Sequence, residues 1–309
     1  MTESLQRLGK SFDNPAALLL LIVAVLFSIG LVSLYSASGA RAGLESMRVT
    51  ARAENRAVED YRFHHSSSYV KRQVTWATLG VLVAIAAAFV PLERYERYSL
   101  FILGGCFVVL TLVVATPLGV EANGAKRWLR FGPLTVQPAE FAKIGLVIYM
   151  ASYLAKKREE MRHWKTGLLP CMAVMAGFSA LILLEKDLGT FVLMGAVVVC
   201  MWCLAQVRFR HLATVILLAL PLIVLLILME PYRVARVMVF LAPERHALTG
   251  GLQLHQSLIA VGSGGILGQG LGLGLQKYHF LPESHTDFIF AIVCEELGLI
   301  GAFGISLLF

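Results

Sequence analysis

Apolar stretches, each about the length that crosses a bilayer as a helix, recur along this chain. They fall at about 15–35, 74–90, 98–117, 139–154, 167–184, 188–207 and 211–229, and an eighth begins near Asp287 and runs to Phe309. Such runs are too long for barrel strands, and backbone in lipid must pair its own polar groups. The pattern therefore predicts an all-α polytopic membrane protein with about eight transmembrane helices in a single domain, 1–309. The first run has full span length and no small-residue cleavage site after it, which predicts a retained helix and not a removed leader. The last run ends in apolar residues, as a chain cut inside or just after a span would.

Composition agrees with this pattern. The chain is 57% hydrophobic and 15% charged, with a mean hydropathy of +0.72, well beyond a soluble globule. Its net charge of +7 chiefly marks topology. The short basic loops KKREEMRHWK (156–165) and RFRH (208–211) belong on the cytoplasmic side, which puts the N-terminus inside. Segments 36–73, 118–138 and 230–283 then lie outside, although the first carries five Arg between 41 and 62. Anionic lipid suits this charge, and no basic run with interleaved aromatics suggests nucleic acid. All five cysteines (106, 171, 200, 203, 294) fall inside predicted spans, where they read as packing and not as redox or zinc ligands.

Candidate chemistry gathers in the outer segments. In NGAKRWLRFGPLTVQPAEFAK (123–143), Asn123-Gly124 and Gly132-Pro133 are turn signals that predict a compact folded-back loop. Trp128 suits an interfacial anchor, while Lys126, Arg127 and Arg130 beside it suit an anionic amphiphile such as a lipid pyrophosphate. Pro138 fits the first position of the next helix and Gln137 its cap. Glu140 fits its first turn, with Lys143 placed to pair with it, and a structural pair and a polar cavity both account for these charges. In LLEKDLGT (183–190), Glu185 and Asp187 suit either a solvated turn or carboxylates that bind a divalent cation, Mg or Mn, or arrange the cations nearby.

The third outer segment contains a short amphipathic helix around Leu254–Ile259 and seven glycines between 262 and 274. Neither a G-x-G-x-x-G nor a Walker spacing occurs, yet glycine backbone can approach a pyrophosphate, with Lys277 supplying charge. Asp287 suits the start of the eighth helix, but His285, Thr286 and Lys277 crowd the same entrance. Glu295 and Glu296 follow about 12 Å deeper at about 1.5 Å per residue. As neighbours on a helix they point about 100° apart, so at least one must turn inward and find a partner.

Together NGAKRWL, QPAEFAK, EKDLGT, PYRVARVMVFLAP, QSLIAVGSGGILGQGLG and QKYHFLPESHTDFIFAIVCEELG resemble the SEDS proteins, the shape, elongation, division and sporulation family that contains RodA and FtsW. LVSLYSAS, YMASYLAKK and QKYHFLPESHTDFIFA make the division branch the nearer one. The resemblance implies a ten-helix bundle, of which this chain carries about eight, with a large extracytoplasmic loop between helices 7 and 8. It implies a peptidoglycan glycosyltransferase that polymerises lipid II, working with a class B penicillin-binding transpeptidase and other division proteins at the septum of the bacterial plasma membrane. Asp287 is then catalytic, and Lys126, Arg127, Trp128, Gln137, Glu140, Lys143, Glu185, Asp187, Gln256, Ser257, Lys277 and His285 line or support the site for lipid II and the undecaprenyl-pyrophosphate-linked glycan. No organic cofactor is implied.

The chain departs from the family pattern at Lys186, where proline is usual, at Ala139, where serine is usual, and at LQLHQ (252–256). A lipid II flippase, a scaffold for septal enzymes and the elongation-type polymerase are the alternatives. The polar residues cluster at the outer face and not at the midplane, which favours chemistry over transport.

Overall fold

A computed structural model describes residues 15–50, 57–122, 125–131, 134–246, 251–278, 281 and 286–309; over 39–68 it describes the backbone alone. The order is α1 (Pro15–Thr50), α2 (Ala57–Ala88), α3 (Leu92–Ala115), β1 (Gly119–Ala122), β2 (Ala125–Phe131), β3 (Leu134–Val136) and α4 (Pro138–Lys156). After a 3-10 turn at Glu160–Arg162 and a π turn at Trp164–Leu168 come α5 (Leu169–Leu184), α6 (Leu188–Leu204) and α7 (Phe209–Leu228). The chain continues with α8 (Pro231–Leu241), α9 (Leu252–Ser263) and α10 (Ile289–Leu308).

Among the described residues five stretches are long and apolar enough to cross a membrane: Pro15–Ser38, Leu92–Ala115, Trp164–Leu184, Phe209–Leu228 and Ile289–Leu308. Leu20, Phe101 and Leu217, on three of them, are 70%, 76% and 71% exposed. Apolar surface on this scale needs lipid to cover it. The protein is a membrane protein.

Two expectations change. Segment 36–73, expected as an outer loop, is helical over 36–50 and 57–73, because its Ala, Arg and Glu favour helix and no Gly or Pro follows Gly43. The loop at 118–138 is a three-stranded antiparallel sheet of order β1-β2-β3. Ala122 opposes Ala125 and Phe131 opposes Leu134, so each connection is two residues long. Those connecting pairs, 123–124 and 132–133, lie outside the described residues.

The chain forms two compact units, one of Ala84–Leu226 and the other of Met1–Val83 with Ile227–Phe309. The core of the first joins Leu110 of α3, Leu146 and Met150 of α4, Phe178 of α5, and Met194 and Trp202 of α6. Between α3 and α4, Ser99 donates to Ser152 at 3.3 Å, the kind of small polar contact that joins helices where lipid offers no hydrophobic drive. In the other unit Ala260 of α9 packs with Leu281 and with Ala291 and Ile292 of α10.

Helix α10 is broken at Gly298, whose φ of 67° and ψ of −168° leave the helical region. The glycine-rich segment after α9 repairs the break. Gln269 and Gly270 donate to the carbonyls of Glu295 and Glu296 at 2.9 and 3.0 Å, and Leu299 and Ile300 donate to Gly265 and Ile266 at 2.9 and 3.2 Å. Peptide groups orphaned by the break thus regain partners, as lipid requires. A Cβ on Gly298 would collide with the backbone of Gly268 and Ile266, so only glycine fits.

Candidate functional site

In the unit of Ala84–Leu226, strand β2 carries Lys126, Arg127 and Trp128, and its pairing with β1 shifts by one residue there, which leaves Arg127 as a bulge between the Lys126 and Trp128 pairs. Lys126 opposes Glu121 and Trp128 opposes Val120 across the β1 pairing. Lys126 is exposed and Trp128 half-buried. A cavity of about 230 Å³ is lined by Val114, Glu121, Ala125, Lys126, Leu184 and Lys186. Its wall is part apolar and part charged, with two ammonium groups and the Glu121 carboxylate, which opposes Lys126.

Arg127 reaches the turn between α5 and α6. Its Nε donates to the Glu185 carbonyl at 2.9 Å and its Nη2 to the Lys186 carbonyl at 2.7 Å. Helix α5 ends there in a Schellman motif, in which the Asp187 N–H reaches the Ile182 carbonyl at 3.1 Å and the Lys186 N–H reaches Leu183 at 2.9 Å. Lys186 holds the left-handed position, with φ of 57°. Proline, usual there in the resembled family, has neither that φ nor the N–H, so this turn is built for a different residue.

Asp187 caps α6. Its oxygens accept from the Thr190 N–H at 3.0 Å and Thr190 Oγ1 at 2.9 Å, and Gln137 Nε2 approaches at 3.4 Å. Glu185 is 1% exposed, and neither of its carboxylate oxygens has a hydrogen-bond partner. Burial pushes its carboxyl up to about 7; Asp187 adds to the rise and Arg127 offsets part of it. The carboxylates at 185 and 187 make a poor seat for a divalent cation. Asp187 is committed to Thr190, the Arg127 guanidinium stands alongside, and no cluster of three or more metal-ligating side chains occurs among the described residues.

Pro138 opens α4 with Gln137 as its N-cap, but Gln137 makes no capping bond with its side chain, which is directed to Asp187. Glu140 and Lys143 form the expected pair at 2.8 Å, at a surface where the side chains are 57% and 25% exposed.

The other unit holds the remaining candidates. Gln256 is half-buried on α9, and the buried Ser257 donates to the Leu254 carbonyl at 2.7 Å, a bond within its own helix. His285 lies outside the described residues. Asp287 is exposed and stands one residue ahead of the Phe288 N-cap of α10, not within the helix.

Lys277 is not available to a ligand. Its Nζ contacts Glu296 Oε1 at 2.7 Å, Ser36 Oγ at 2.8 Å and the Gly272 carbonyl at 2.6 Å, which uses all three donors. Both adjacent glutamates turn inward and both are satisfied: Glu296 also accepts from Ser36 at 2.7 Å, and Glu295 accepts from the Leu275 and Gln276 N–H groups at 2.7 and 3.1 Å. Ser36 was absent from the expected site residues. Two adjacent glutamates in an apolar helix signalled the need for partners, whereas nothing marks Ser36 in the sequence.

Known proteins are similar to this chain over most of its length. A family model described as "Cell cycle protein", which covers FtsW, RodA and SpoVE, matches residues 16–309. A protein of Geobacter metallireducens named "Probable peptidoglycan glycosyltransferase FtsW" is 38% identical over 300 residues, covering 97% of this chain and 76% of that protein. Stage V sporulation protein E of Bacillus subtilis is 35% identical over 296 residues, 96% of this chain and 76% of its own length. Among solved structures, a chain of a peptidoglycan synthase complex that coordinates polymerization and crosslinking superposes with a TM-score of 0.67 at 28% identity, over 94% of this chain and 73% of that one. The rod shape determining protein RodA of Thermus thermophilus gives 0.59 at 25% identity, over 94% and 70%.

Proposed function

This chain belongs to the FtsW, RodA and SpoVE family of cell cycle proteins, and on that premise we propose that it polymerises lipid II with Asp287 as the general base. It is a peptidoglycan glycosyltransferase, the activity for which its relatives are named. One observation carries the choice of Asp287. Among the described carboxylates of 251–309, Glu295 and Glu296 are buried and engaged, and Asp287 alone is exposed.

The reaction joins an acceptor sugar hydroxyl to the anomeric carbon of a donor glycan. Asp287 takes the proton of that hydroxyl as the new glycosidic bond forms, and the bond to the lipid pyrophosphate breaks with its electron pair leaving on phosphate oxygen. The negative charge that develops on the leaving pyrophosphate calls for a cation to offset it. A divalent cation enters this scheme on the substrate, since Mg²⁺ binds through phosphates and water more readily than through an all-protein cage. Arg127, Gln137 and Asp187 support the sheet and the α5–α6 turn.

The basic loops 156–165 and 208–211 support a cytoplasmic N-terminus, with β1–β3, the 185–187 turn and Asp287 outside. The partner in this reading is a class B transpeptidase, and the place is the division septum of the bacterial plasma membrane. The test is polymerisation of purified lipid II in detergent by the full-length protein with its transpeptidase. Asp287→Ala is expected to lower the rate by about 10²- to 10⁴-fold. Parent-level polymerisation by that variant ends the assignment, and an inactive parent would return the flippase reading to the front.

A further inference from the structure

The geometry points to a positioning device: Ser36, Lys277 and Glu296 clamp together the two ends of the chain segment that carries Asp287. The chain enters this segment at Lys277 and leaves it at Glu296. Those two residues meet at 2.7 Å with side chains each 2% exposed. Ser36 of α1 ties both, accepting from Lys277 at 2.8 Å and donating to Glu296 at 2.7 Å. Beside them Glu295 holds the N–H groups of Leu275 and Gln276, so two successive carboxylates of α10 grip three successive residues of the incoming strand.

A buried ion pair is a costly way to gain stability, because desolvation offsets most of the attraction and apolar side chains of similar volume serve as well. What it adds is a single register. The ammonium is saturated by three acceptors of different origin: a carboxylate of α10, a hydroxyl of α1 and the Gly272 carbonyl. A slip of the Lys277 segment against α10 breaks the ion pair and both Glu295 contacts at once. The segment that presents Asp287 therefore starts and ends at a fixed point, which a base needs if it is to meet a hydroxyl within hydrogen-bond reach.

This inference rests on Asp287 as the base, and the experiment separates the two. Full-length protein with its transpeptidase is assayed on lipid II, with rates normalised to folded, monodisperse protein. Lys277→Met is expected to lower kcat by about 10- to 100-fold while KM stays within about twofold. In the double variant Lys277→Met/Glu296→Met both buried charges are gone, so the melting temperature recovers but kcat stays low. If kcat recovers together with the melting temperature, the residues serve stability alone and the assignment is overturned.

Hydrogen exchange supplies the arm that needs no substrate. Exchange of amides 269–277 is expected to rise by about tenfold or more in Lys277→Met and in the milder Ser36→Ala, with the amides of α5 and α6 unchanged. If Lys277→Met fails to fold, Ser36→Ala carries this measurement. Unchanged exchange overturns the clamp whatever the substrate proves to be, whereas an inactive parent overturns only the reading of Asp287.

Discussion

Arg127 binds the backbone of Glu185 and not its carboxylate. The guanidinium donates to the Glu185 and Lys186 carbonyls at 2.9 and 2.7 Å, while both carboxylate oxygens of Glu185 are buried without a hydrogen-bond partner. The strand that carries Lys126 and Trp128 is thus fastened to the α5–α6 turn through main-chain acceptors. The Glu185 carboxyl, raised to about 7 by burial, keeps its proton below that pH.

Glu185 makes stability depend on pH in a defined direction. Its carboxyl moves from 4.5 up to about 7, so below pH 4.5 it is protonated whether the chain is folded or not. Between there and about 7 the folded protein keeps the proton that the unfolded chain releases, so stability falls as pH rises, and above about 7 the loss levels off. The full loss is on the order of 3 kcal/mol. Glu185→Gln stays neutral throughout and should melt above the parent at pH 8, with the gap closing toward pH 5. Parallel melting curves for the two proteins across this range would show that Glu185 does not titrate there.

Arg127→Ala removes two charge-assisted hydrogen bonds and is expected to cost about 2 kcal/mol of stability. Arg127→Lys should recover less than half of this, because an ammonium lacks the planar fork that spans two carbonyls. Thermal unfolding of the three proteins decides it, and a lysine variant as stable as the parent contradicts the two-carbonyl geometry.

Asp187 separates capping from charge. Asp187→Asn keeps an oxygen for the Thr190 N–H and should lie within about 0.5 kcal/mol of the parent, while Asp187→Ala should lose about 1 kcal/mol or more. If the asparagine variant is stable but polymerises poorly, the negative charge itself serves the reaction. If it is fully active, the residue is a cap.

Lys186 carries a side chain in a backbone region suited to glycine. Lys186→Gly is expected to raise stability by up to about 1 kcal/mol. Lys186→Pro should lower it by about 3 kcal/mol or more, since proline lacks the required φ and the N–H given to Leu183. A proline variant as stable as the parent would mean that the turn readily takes another form.

What the sequence made legible was mostly local. Pro138 and the Glu140–Lys143 pair follow from helix-end rules that act within a few residues. Glu295 and Glu296 announced their need for inward partners because lipid leaves a buried charge no alternative. Relations that span the chain were silent: Ser36 meets Lys277 across 241 positions, and a serine in an apolar run carries no sign of its partner. In the sequence Arg127 looks like a ligand cation, because the backbone carbonyls that it binds look alike in every sequence. The sheet at 119–136 escaped because its strands are short and charged, so the Asn-Gly and Gly-Pro turn signals had no clear alternation beside them.

The break at Gly298 bears on how the protein is made. Helix α10 cannot enter lipid as an independent span, because the carbonyls of Glu295 and Glu296 and the N–H groups of Leu299 and Ile300 find their partners on residues 265–270. Those residues leave the ribosome first. The broken helix therefore reaches its fully paired state only when this earlier-made segment lies against it.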